Sequence, residues 1–181
     1  MVLPNEHPRQ IALIITAHSP PSPEWLNAAV KAGEGSAEVE GIRLVVVGAE
    51  GDSFSGWTLQ QVSNHVGDNY SRPKVPFACR AFAIVDDNSE RTNSVLVVSL
   101  DQKGLGETRI AGTVRVGPEY AVDIPTLLHG GITGILHYSD VADVAEDGIL
   151  RREPPTHLND EGSVWFTRIL GPGEQGTEAH V

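Results

Sequence analysis

Apolar residues along this chain fall into two patterns. Some form short unbroken runs, and others return at every third or fourth position. The runs Ile11 to Ala17, Ile42 to Val47, Ala78 to Val85, Ser94 to Leu100 and Arg109 to Val116 are rich in Val and Ile and bounded by Gly, Pro or polar clusters. Runs of that length and composition predict buried strands. The helical pattern begins after HSPPSP. There Ser22 can cap, Pro23 suits the first helical position, and Glu24 suits the positive end of the helix dipole. Trp25, Leu26, Ala29 and Val30 form the apolar face, and Gly33 or Gly35 is expected to end the helix.

The segment GWTLQQVSNHVG carries the best local signature in the chain. Thr58 and Gln61 make a capping box, Trp57 and Val62 a hydrophobic staple, and Gly67 stands where a C-terminal cap belongs. Two further helices are expected near Asp123 to Leu128 and Ser139 to Asp147. Strand–helix–strand–helix–strand followed by strands without helices between them predicts an α/β fold. The expectation is a single domain over 11–151, with a mixed sheet of about five strands. The first three should be parallel. The fourth should be antiparallel, because Asp86 to Asn93 is short for a crossover helix. Residues 1–10 read as an N-terminal extension and 152–181 as a Pro/Gly/Glu-rich tail, with a short strand within 164–170.

Composition narrows the partners. With 24 acidic against 13 basic side chains, the net charge of -11 repels phosphate backbones and anionic lipid, so neither nucleic acid nor membrane is an expected partner. An acidic surface suits solubility or a basic protein partner. The single cysteine, Cys79, excludes an internal disulfide and a multi-cysteine zinc site. It sits in an apolar strand pattern, where an inert buried thiol is the default. The apolar run near the start is short and follows Glu6 and Pro8 rather than a basic segment, which suits neither a membrane span nor a signal peptide. A soluble cytoplasmic protein is the expectation.

The order ALIITAHS, a Trp-bearing helix, SGWTLQQV, RAFAIVDD, SVLVVSLD and TVRV resembles an uncharacterised family of small α/β domains found in bacteria and fungi. The resemblance covers about Ile11 to Arg151. It implies the α/β fold and carries no activity.

Ligands of open α/β sheets bind outside the carboxyl ends of the parallel strands. That edge should present Thr16 and His18 from the first strand, Glu50 and Asp52 from the second, and Asp86 and Asp87 from the third. A carboxylate beside a histidine orients its ring and favours its protonated form, so a histidine facing carboxylates is a candidate acid/base pair. Polar residues also end strands simply because loops are solvated. Familiar motifs fail on context. His129, Gly130 and Gly131 suggest an oxyanion loop, but no G-x-S-x-G elbow accompanies them. Gly104 and Gly106 open no helix, and neither a Walker A motif nor H-E-x-x-H occurs. His129 and His137 lack a third ligand nearby, which speaks against zinc. The adjacent Asp86 and Asp87 could hold a divalent cation through oxygen ligands, but the expectation is no metal and no cofactor.

Ser139 and Asp140 are explained as a helix start. His137 and Tyr138, expected in the glycine-rich loop before it, are not. Two readings therefore stand side by side. One is a small cofactor-independent lyase, isomerase or cyclase acting on a small organic molecule. In it His18 or His137 is the general base, Tyr138 donates to a developing oxyanion, Asp86 or Glu50 orients the histidine, and Glu50, Asp87, Thr16 and His129 bind. The other is a non-enzymatic acidic binding module, inhibitor or immunity-like, for a protein partner or a second copy of the chain.

Overall fold

The computed structural model describes residues 10–37, 41–47, 54–70, 77–78, 80–102, 108–131, 134–136, 138, 147–151, 156–158 and 164–166. Strand β1 (Gln10–Ile15) leads through helix α1 (Pro23–Ser36) to β2 (Arg43–Val47), and α2 (Leu59–Tyr70) leads to β3 (Ala81–Val85). A short α3 (Ser89–Thr92) precedes β4 (Val95–Gln102) and β5 (Thr108–Val116). A 3-10 turn at Pro118–Tyr120, α4 (Asp123–Gly130) and the two-residue β6 (Ile149–Leu150) follow. These strands form one six-stranded mixed sheet in the order β2-β1-β3-β4-β5-β6.

β1 runs parallel to both β2 and β3, while β4 is antiparallel to β3 and to β5. The fold is therefore α/β, with one strand more than the pattern predicted. β6 pairs parallel with β5 through only Ile149 and Leu150, too short a run to show periodicity. The patch expected as one strand within 164–170 is β8 (Val164–Phe166), which pairs with an unforeseen β7 (Thr156–Leu158) in a separate two-stranded sheet.

The central strands read as unbroken apolar runs because both of their faces are covered. Ile11 and Leu13 of β1 and Ala81, Ala83 and Val85 of β3 pack in one core with Ile124 and Leu128 of α4, against which α1 also packs. Ala12, Ile14, Phe82 and Ile84 point to the other face and pack with Val62 and Val66 of α2. Burying a valine of this kind contributes about 1.5–3 kcal/mol.

Local capping largely follows the expected chemistry. Ser22 Oγ accepts from Trp25 N at 3.3 Å, with Pro23 opening α1. Thr58 N donates to Gln61 Oε1 at 2.8 Å, and Gln61 N donates to Thr58 Oγ1 at 3.3 Å. Glycines are where the expectation fails. Gly33 and Gly67 do not end their helices; both are buried within them, and α1 ends at Ser36, one residue past the alternative stop at Gly35. A side chain at Gly33 would come within 3.0 Å of Pro118 O, and one at Gly67 would overlap Thr108. The glycines allow close approach of neighbouring chain, a need that capping statistics do not register. Gly131, in contrast, does cap α4 in the left-handed conformation (φ 69).

Candidate functional site

Chain order places the site. From β1 the chain moves to β2 on one side, then returns past β1 to β3 on the other, with α1 and α2 on opposite faces. The strand order thus switches direction between β1 and β3, and the crevice outside their carboxyl ends is where such sheets hold ligands. Thr16 and His18 leave β1 there, and Asp86 and Asp87 leave β3.

The turn after β3 is built by side chains of the DDNSERTN segment. Asp86 Oδ1 accepts from Asn88 N at 3.1 Å and from Ser89 Oγ at 3.0 Å, while Asp86 N donates back to Ser89 Oγ at 3.0 Å. An aspartate held this way closes an Asx-type turn. α3 then ends at Asn93, whose left-handed φ of 46 suits an asparagine. Glu90 reaches across to α1, accepting from Ser22 Oγ at 2.5 Å and Ser22 N at 3.1 Å. Trp25 Nε1 donates to Asn93 Oδ1 at 3.1 Å, so α1 and this turn are fixed to one another.

The two aspartates take different partners. Asp86 receives both terminal nitrogens of Arg115, which also donates to Ser94 Oγ at 3.2 Å. Burial raises the Asp86 pKa, but the hydrogen bond and charge of Arg115, with Ser89 and Asn88, outweigh it and hold the carboxyl below its usual range. Asp87 instead holds His18 twice. Its Oδ1 accepts from His18 N at 2.7 Å, and its Oδ2 lies 2.9 Å from His18 Nδ1. The ring contact first, then the backbone N–H, lowers the Asp87 pKa, so this carboxylate is ionised and can only accept. Nδ1 must therefore carry a proton, and in the neutral ring Nε2 is left with its lone pair. A Cβ at Gly56 (φ 73) would lie 3.4 Å from that Nε2, so the loop before α2 borders this nitrogen.

An open cleft of about 650 Å³ lies between residues 18–21 and the turn that carries Asp86, Asp87, Glu90 and Arg91. Of the residues expected to form a site, His18, Asp86 and Asp87 meet there. The histidine's orienter is Asp87, where Asp86 or Glu50 was expected, because successive side chains at the end of a strand point to opposite sides. Asp86 serves Arg115 instead. Thr16 does not line the cleft; its hydroxyl donates to Val85 O at 3.4 Å. His129 lies in the last turn of α4, away from the cleft.

Tyr138 does not lie in a loop. Ile135, Leu136 and Tyr138 are helical, and Tyr138 is 1% exposed in the core with Ile124 and Leu128, so it cannot donate to a ligand in the cleft. Glu50, His137 and Cys79, and the helix expected from Ser139, lie outside the described residues. Arg115, Glu90 and Arg91 were missed by the sequence reading. Arg115 alone had a signal, as a charge inside the strand pattern TVRV.

Among the described residues, no group of three His, Cys, Asp or Glu side chains converges as metal ligands would. No helix among them is long and apolar enough to cross a membrane. Compared with family models, with curated proteins and with solved structures, the chain matches none.

Proposed function

We propose that this protein is a small cofactor-independent acid/base catalyst of the lyase, isomerase or cyclase type, working in the cytoplasm on a small organic molecule. His18 Nε2 takes or returns the proton, and Asp87 keeps the ring in the required tautomer and orientation. The observation that carries this reading is the double hold of Asp87 on His18, at 2.7 Å and 2.9 Å, beside a cleft at the strand-order switch. A general base needs a fixed lone pair and a space the substrate can enter, and the hold of Asp87 on a histidine that lines the cleft supports that reading.

Deuterium exchange tests it. The protein is incubated in D2O with a pool of small carbonyl and hydroxy compounds of mixed charge, and uptake is read by mass spectrometry. The wild type should label at least one compound, while His18→Gln should not, with an unchanged melting temperature. Equal labelling by both proteins would overturn the reading.

A second reading draws on exposure. The His18 side chain is 75% exposed and the net charge is -11, which also suits an acidic module that binds a basic protein partner. Such a module would bind without labelling any compound, and its binding would weaken steeply with salt.

A further inference from the structure

We infer that the ligand of the cleft is a small organic acid, and that the guanidinium of Arg91 holds its carboxylate. The inference names the substrate class for the acid/base reading of His18.

Among the described residues, the three carboxylates that line the cleft are all engaged by protein donors. Asp86 accepts from Arg115, Ser89 and Asn88. Asp87 accepts from the His18 backbone and ring, and Glu90 from the hydroxyl and N–H of Ser22. Each already accepts two or more protein hydrogen bonds, so a cationic ligand would compete with these donors. Removing a charge-assisted hydrogen bond to make another yields little net affinity.

Arg91 is in the opposite state. Its Nη2 donates to Asn88 Oδ1 at 2.8 Å, and among the described residues it faces no carboxylate. The other two arginines of this region are committed, Arg115 to Asp86 and Arg151 to Asp147. A guanidinium presents five N–H donors in a rigid fork matched to two carboxylate oxygens, so Arg91 has donors to spare in the geometry an organic acid requires. The bond to Asn88 also holds it in place, on a turn tied to α1 through Glu90 and Asn93. His18 and Arg91 line the same cleft, one offering a lone pair and the other a fork. A molecule held by its carboxylate on Arg91 can present a more distant acidic C–H or O–H to His18 Nε2. The acidic surface at large does not prevent this. Charges farther than about 8 Å are largely screened at physiological ionic strength, and Arg115 offsets Asp86.

The test uses the full chain, isotopically labelled, titrated with succinate. Its neutral diamide and 1,4-diaminobutane serve as controls of similar length. The His18 Cε1–H and Arg91 Nε–H signals are followed by NMR. Succinate should shift both saturably. Arg91→Gln should weaken that binding on the order of tenfold or more, with Arg91→Lys intermediate and the melting temperature of both variants unchanged. The inference is overturned if succinate leaves both signals unmoved, if the diamide or the diamine saturates them as readily, or if Arg91→Gln binds like the wild type. Those failures are separable from failure of the acid/base reading, because the deuterium-exchange pool spans all charges. His18→Gln should lose exchange while keeping succinate binding.

Discussion

Thr108 of β5 occupies the space that a side chain at Gly67 of α2 would need. This close approach lets the helix lie on the sheet with Val62 and Val66 buried beneath it. Gly→Ala inside a helix normally gains about 1 kcal/mol from propensity. Here the added methyl would overlap Thr108 Oγ1, with Thr108 Cβ and Cγ2 also inside normal contact at 3.1 and 3.2 Å. Rotation about χ1 moves Oγ1 and Cγ2 together and leaves Cβ at 3.1 Å, so it cannot clear the overlap. Gly67→Ala should therefore destabilise by about 1–3 kcal/mol, read as a lower urea midpoint at unchanged slope. A gain in stability would show that α2 can slide off β5 at no cost.

The Asp86–Arg115 pair should matter to stability and to acid tolerance. Breaking a fully buried pair costs about 3–5 kcal/mol, and these side chains keep 26% and 21% exposure, so Asp86→Ala should cost about 2 kcal/mol. The folded-state pKa of Asp86 lies below its unfolded value. Its contribution is therefore fully present above the unfolded pKa of about 3.9 and is lost as pH falls through the folded value. Urea midpoints of wild type and Asp86→Ala should converge as pH is lowered below about 4. A gap that stays constant down to the acid limit would deny the pair this role.

Tyr138 should behave as core. Its ring packs with Ile135, Ile124 and Leu128 at 1% exposure, so Tyr138→Ala should lose about 3–5 kcal/mol. In contrast, the variant should keep the His18 NMR signature for as long as it stays folded. A well-folded Tyr138→Ala whose His18 signals have moved would reconnect this residue to the cleft.

The sheet was legible where physics writes it into short stretches. β1, β3 and β4 are covered on both faces or nearly so, and their apolar runs announce them. Ser22 and Thr58 announce helix starts because capping is local. Gly33 and Gly67 were misread because their reason lies in Pro118 and Thr108, far along the chain. The edge position of His18, Asp86 and Asp87 was readable from strand polarity alone. Their pairing was not. That Arg115 reaches Asp86 depends on the register Ile84↔Leu96 and Leu96↔Arg115 across β3, β4 and β5, which no local pattern encodes. Tyr138 was misplaced because the three glycines before it suggested a loop, while its ring supplies apolar area to the core.

Ser63 offers the reverse of a destabilising change. Its side chain is buried on α2, and among the described residues its Oγ has no hydrogen-bond partner. A buried hydroxyl without a partner carries a desolvation cost that folding does not recover. Ser63→Ala removes that cost and improves helix propensity, so it should stabilise by about 0.5–1 kcal/mol. A loss of stability would reveal a partner for the hydroxyl in solution.

Asp87→Asn examines the acid/base site without any substrate. Wild-type Asp87 offers one oxygen to His18 N and the other to Nδ1. An asparagine has only one acceptor oxygen for those two donors and places an NH2 where the second oxygen stood. If the oxygen stays on the backbone N–H, the NH2 meets Nδ1, which must then become the acceptor. The proton moves to Nε2, and the ring loses its outward lone pair. Long-range 1H–15N spectra at a pH where the ring is neutral should show Nδ1–H in the wild type and Nε2–H in the variant. Deuterium labelling should fall with it while the melting temperature changes little, since the pair is exposed and contributes little to stability. The same tautomer in both proteins would mean that Asp87 does not set the ring, and the acid/base reading would lose its positioning residue.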